Sequence, residues 1–124
     1  MRTSTMKKLT AAMLCSALSA LFVMPLSAAA AGNVAAGKAV ADKYSCFTCH
    51  GKDYNSPIDP SYPKLAGQHK DYLEHALIGY KRGDGPNGRN NAIMTGQVKP
   101  LTNQDIKDLA AYFHSLPGNL AVHR

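Results

Sequence analysis

Apolar residues are distributed along this chain in two ways. Over residues 9–26 they form a nearly unbroken run, interrupted only by Thr10, Cys15, Ser16, Ser19 and Pro25. From residue 33 onward they recur at helical spacing on a polar background. The unbroken run follows Arg2, Lys7 and Lys8 and is succeeded by Ser27-Ala28-Ala29-Ala30-Ala31. A positive start, an apolar centre and a small-residue end are the three parts of a secretory signal peptide. Residues 1–31 are therefore expected to be removed on export, with cleavage after Ala29 or Ala31. Pro25 and the small-x-small site speak against a retained membrane anchor. Cys15 sits mid-run behind Leu14, so it leaves with the segment rather than carrying a lipid.

The remainder predicts three main helices and long loops, an all-α chain. Residues 33–45 open on Asn33, a plausible N-cap, and are rich in alanine. Val40 and Tyr44 lie four apart on one face, with Ala36 and Gly37 one turn earlier. Residues 52–68 hold Pro57, Pro60, Pro63 and Gly67 and read as a long loop, a length that usually has a functional reason. Residues 69–81 repeat Leu73, Ala76, Leu77 and Tyr80 on one stripe. Gly83 and Gly85 end that helix, and a Gly/Asn-rich loop over 83–91 leads into Ala92-Ile93-Met94-Thr95-Gly96. The last helix is the clearest. Thr102 and Asp105 resemble a capping box, Ile106, Leu109, Ala110 and Phe113 form the buried face, and Pro117-Gly118 stops it. No strand-like alternation and no internal repeat is visible.

Charge and size narrow the reading. The chain carries a net +6, and loss of three basic residues with the signal leaves +3 on residues 32–124, a single domain. No basic run or nucleic-acid motif is present, so nucleic acid is not an expected partner. The mild positive balance instead suits an acidic protein surface. A chain this short buries only roughly 60–65% of its unfolded surface. A cofactor that fills the core would help it fold.

The chemistry centres on Cys46-Phe47-Thr48-Cys49-His50. Two thiols separated by two residues, followed at once by an imidazole, are the attachment signature for c-type haem. The two vinyl groups of the ring lie on one side, within reach of both sulfurs, and the next residue can turn its imidazole under the iron. A structural zinc site needs four ligands, and Cys46 and Cys49 are the only cysteines left after export. His69 and His75, six apart, fit no common zinc spacing. A thioredoxin-like pair needs a preceding strand, and a plain disulfide leaves His50 unexplained. The second face of the iron takes methionine, histidine or nothing. Met94 is the one methionine outside the signal, placed by the pattern in a loop rather than on a helical stripe. His69 is its rival. His75, His114 and His123 read as surface residues.

These residues resemble the class I c-type cytochromes, in particular the small bacterial periplasmic branch and one half of its two-domain, two-haem members. The resemblance covers about residues 36–117. It rests on Gly37, Cys46-x-x-Cys49-His50-Gly51, Tyr62-Pro63-x-Leu65-Ala66-Gly67-Gln68, Tyr72-Leu73, Met94, and Leu101-x-x-x-Asp105-Ile106-x-x-Leu109-Ala110-Ala111-Tyr112. It implies a small cytochrome c fold around one covalent haem c. Cys46 and Cys49 would form the thioethers, with His50 and Met94 as iron ligands. The Pro63 carbonyl would accept the other ring N–H of His50, and Gly37 would let the first helix cross close to the last near Tyr112 or Phe113. The implied role is periplasmic electron transfer rather than catalysis, between transient redox-protein partners, by a monomer or weak homodimer without membrane insertion. A haem enzyme, a gas-binding protein or a fixed subunit of a larger complex are the alternatives. Lys52, Lys64 and Lys99 are possible rim charges. The loop at 83–91 is longer than the family pattern, and only one haem motif is present.

Overall fold

The computed structural model describes residues 31–119. The signal segment with Cys15, and His123, lie outside the described residues. Five helices run in the order α1 (Val34–Lys43), α2 (Phe47–His50), α3 (Lys70–Arg82), α4 (Ala92–Val98) and α5 (Asn103–Ser115). No strand occurs among the described residues, so the all-α expectation holds. None of these helices is long and apolar enough to cross a membrane.

The three long helices form where the apolar spacing placed them. The Asn33 side chain accepts the Ala36 N–H, capping α1. In α5 both halves of the capping box are made: Thr102 Oγ1 accepts the Asp105 N–H at 3.1 Å, and Asp105 Oδ2 accepts the Thr102 N–H at 2.8 Å. These bonds hold the Asp105 carboxyl below its ordinary range. The expected cost of Thr102→Ala is about 1 kcal/mol, or roughly 4–8 °C in melting temperature for a domain of this size. The depressed carboxyl makes that contribution fully present above the unfolded aspartate value and lost as pH falls through the folded one. Thermal melts at neutral and strongly acid pH check both magnitude and sign.

α1 and α5 cross at the centre of the fold, and α3 packs on α5. Gly37 sits at the crossing. A Cβ there would overlap the Asp108 carbonyl and come within 2.7 Å of the Tyr112 Cβ, so the predicted close approach falls on Tyr112. Asp108 itself is buried. Its carboxylate accepts the Asn33 N–H at 2.7 Å and the Gln104 side-chain N–H at 2.9 Å, tying the start of α1 to α5. Ile106, Leu109 and Val98 are the largest fully buried side chains.

Two short helices were not expected. α2 is a single turn over the thiol motif. α4 replaces the loop predicted around Met94, which lies in its first turn. Asn91 starts α4 by accepting the Met94 N–H at 3.0 Å. β-Branched Ile93 and Thr95 and Gly96 give the segment poor helix propensity, and Val98 is its one fully buried residue, so no stripe marks it.

Candidate haem site

The end of α1 sets the motif in place. Cys46 donates its N–H to the Ala41 carbonyl at 3.0 Å, and the single turn of α2 then closes with the His50 N–H on the Cys46 carbonyl at 3.1 Å. Gly51 ends the turn in the left-handed region, φ 84°, where a Cβ would overlap the Ser56 carbonyl. The chain doubles back tightly, and the Ile58 N–H reaches the Cys49 carbonyl at 3.1 Å.

The proline-rich loop is held by its own polar residues and by α5. Asp53 accepts the backbone N–H groups of Asn55 and Ser56, which draw its carboxyl below the usual range. Asn55 donates its side-chain N–H to the Pro117 carbonyl at 2.9 Å. Buried Tyr54 packs at a tilt against Phe113, with ring centroids 4.8 Å apart, and meets Tyr112 edge-on at 5.9 Å, while its carbonyl accepts from Leu65 and Ala66. Gly67 donates to the Phe113 carbonyl at 2.9 Å. The loop is thus pinned on both sides of Pro63, whose carbonyl oxygen lies 2.9 Å from His50 Nδ1. A carbonyl can only accept, so Nδ1 carries the proton. Nε2 is left as the bare nitrogen, the form that binds a metal.

His50 is buried and faces a cavity of about 350 Å³. Cys46, Cys49, His50 and Pro63 line it from the motif and loop. Leu73, Ala76, Leu77 and Tyr80 line it from α3, Met94, Gln97 and Val98 from α4, and Leu109 and Phe113 from α5. The structure therefore brings all five predicted site residues to one cavity. It does not bring His69, which stands before α3 away from the lining. His114 is exposed and donates through Nδ1 to the Gln68 carbonyl. Of the three suggested rim lysines only Lys64 borders the cavity.

The lining tests what the site can hold. It is predominantly apolar, and no acidic residue contributes to it. A flat apolar ring suits that set. Cys46 and Cys49 are free thiols, and burial pushes Cys46 up to about 11. Among the described residues no group of three or more His, Cys, Asp or Glu side chains comes together to hold a metal ion, so the two thiols lack the partners of a structural zinc site. Arg89 and Asn91, which sequence reasoning left inside a spacer loop, also border the cavity. The signal available for them was their nearness to Met94.

Two neighbouring thiols, an adjacent imidazole with its free nitrogen fixed, and an apolar slot among helices define the class of proteins that attach haem covalently through Cys-x-x-Cys-His. The family model described as cytochrome c matches residues 34–117, and the chain belongs to the cytochrome c family, which carries covalent haem c. It is 44% identical over 96 residues to cytochrome c4 of Stutzerimonas stutzeri, an overlap of 73% of this chain and 44% of that one. It is 42% identical over 86 residues to cytochrome c-554(548) of Halomonas halodenitrificans, covering 68% of this chain and 98% of that one. The crystal structure of reduced recombinant cytochrome c4 from Pseudomonas stutzeri superposes with a TM-score of 0.64 at 41% identity, over 73% of this chain and 48% of that one. The chain spans about half the length of the cytochrome c4 relatives it matches.

Proposed function

We propose that this chain is a periplasmic one-electron carrier holding a single haem c. Cys46 and Cys49 attach the ring, His50 and Met94 bind its iron, and the Pro63 carbonyl orients His50. The observation that carries this reading is that His50, with Nδ1 committed to Pro63, and Met94 line one cavity from different elements. When bound, the haem iron supplies a one-electron couple. The protein's part is to keep the surroundings of that iron constant. Two sulfurs and an imidazole on one tight turn leave the ring little freedom. Leu73, Leu77, Leu109 and Phe113 keep water from it, and an apolar surrounding disfavours the extra charge of the oxidised state. A thioether ligand acts in the same direction. With His50 and Met94 as its two ligands, the iron would keep no position for a substrate. Residues 1–31 direct export, and the partners are transient redox proteins met by a monomer or weak homodimer.

A redox-titrated visible spectrum of the haem-loaded protein tests the proposal. The expected result is one reversible one-electron step, with the weak far-red sulfur-to-iron band in the oxidised form. Met94→Ala removes that band and lowers the midpoint. An unchanged spectrum would mean another group binds the iron. Fast, complete carbon monoxide binding by the reduced wild type at neutral pH would point instead to an open site.

A further inference from the structure

The segment that delivers Met94 is tied back to α3 at Arg89. Leaving α3, the chain runs through 83–91 and then returns to the same helix. The Arg89 N–H donates to the Gly79 carbonyl at 2.9 Å. Its stem crosses Gly79 so closely that even a Cβ there would come within 3.1 Å of Arg89 Cγ. Its guanidinium sits over two rings of α3, 5.3 Å from the centroid of Tyr72 and 5.5 Å from that of Tyr80. The ion pairs found among the described residues, Lys38–Asp42 and Lys70–Glu74, do not involve it. Arg89 therefore holds α3 by backbone, packing and cation–π contact, without a carboxylate.

Two residues later Asn91 accepts the Met94 N–H on its side chain at 3.0 Å and the Thr95 N–H on its carbonyl at 2.8 Å. A seven-residue helix cannot set its own start by propensity, because the first turn costs more than it returns. Anchor and cap act in series. Arg89 fixes where Asn91 stands, Asn91 fixes the first turn, and that turn carries Met94.

We propose that Arg89 and Asn91 are positioning residues for Met94, with the arginine seated on Tyr72 and Tyr80 setting where the thioether is presented to the cavity. The proposal rests on the reading of Met94 as the second iron ligand. A misplaced thioether competes less well with a ligand from solution, so imidazole added to the oxidised, haem-loaded protein reports the placement directly. Arg89→Ala and Asn91→Ala should each tighten apparent imidazole binding about five- to tenfold, the worth of one cap or one cation–π contact. The double variant should bind no more tightly than the stronger single, because the two residues act through one another. Asn91→Ser, which keeps a capping oxygen, should return to near wild type. Arg89→Lys, which keeps charge and stem but loses the planar group, should fall between.

Effects that multiply in the double variant would overturn the proposal. So would wild-type imidazole affinity in Arg89→Ala, and a shifted midpoint in that case would show the arginine serving a carboxylate of the ring instead. Met94→Ala separates the proposal from its premise. It should bind imidazole more tightly than any of the other variants. Wild-type affinity there would mean that the ligand assignment itself had failed.

Discussion

A chain carrying Cys46→Ala and Cys49→Ala together is expected to lose all of its haem to acid–acetone extraction and to show the mass of bare polypeptide. Each sulfur closes one bond to the ring, and no other described cysteine can replace them. His50 could still touch the iron, but one imidazole bond exchanges where two thioethers do not. The consequence reaches the fold. The cavity the ring would fill measures about 350 Å³ and is lined largely by apolar side chains, which water would wet if the ring were lost. A small domain has only about 5–15 kcal/mol of stability to lose. The double variant should therefore lose its near-ultraviolet circular dichroism and much of its helical signal, whereas each single variant, with one thioether left, keeps colour and fold. Haem retained through extraction by the double variant would show that the attachment lies elsewhere.

The same dependence explains which parts of the molecule were legible in the sequence. α5 announces itself because everything that makes it is local: the Thr102–Asp105 box, the stripe through Ile106 and Phe113, and Pro117 beyond its end. The thiol motif is local too. α4 is not, since its start depends on the Asn91 cap and its end on Val98 reaching a core built by other helices. The Pro63 carbonyl has no side-chain signature at all; only a resemblance to known proteins pointed to it. The burial of Asp108 has no local signature, because its partner Asn33 lies 75 positions away. Arg89 was hidden by its surroundings. Its glycine and asparagine neighbours look like a spacer, and the two tyrosines that seat it belong to a different element.

Gly37→Ala, the addition of a single methyl group, is expected to destabilise the domain by about 3 kcal/mol or more and to lower its melting temperature by upwards of ~10 °C. The new Cβ has no free volume to enter. It would overlap the Asp108 carbonyl and press to 2.7 Å on the Tyr112 Cβ, and the first of these is α5 backbone, not a side chain that can swing aside. Relief requires α1 and α5 to separate. That pulls Asn33 from Asp108 and loosens the aromatic group in which Tyr112 and Phe113 hold Tyr54, hence the loop that carries Pro63. The loss of stability should therefore come with a weaker hold on His50, visible as a changed oxidised-state spectrum before the global melt. Gly96→Ala is the matched control. It lies within α4, nothing stands within 4 Å of its added Cβ, and alanine gains up to about 1 kcal/mol over glycine inside a helix. A Gly37→Ala protein that melts with the wild type would show that the crossing is looser than the Asp108 contact requires. Opposite signs in the two variants would show that space at the α1–α5 crossing, and not backbone freedom, is what demands glycine at position 37.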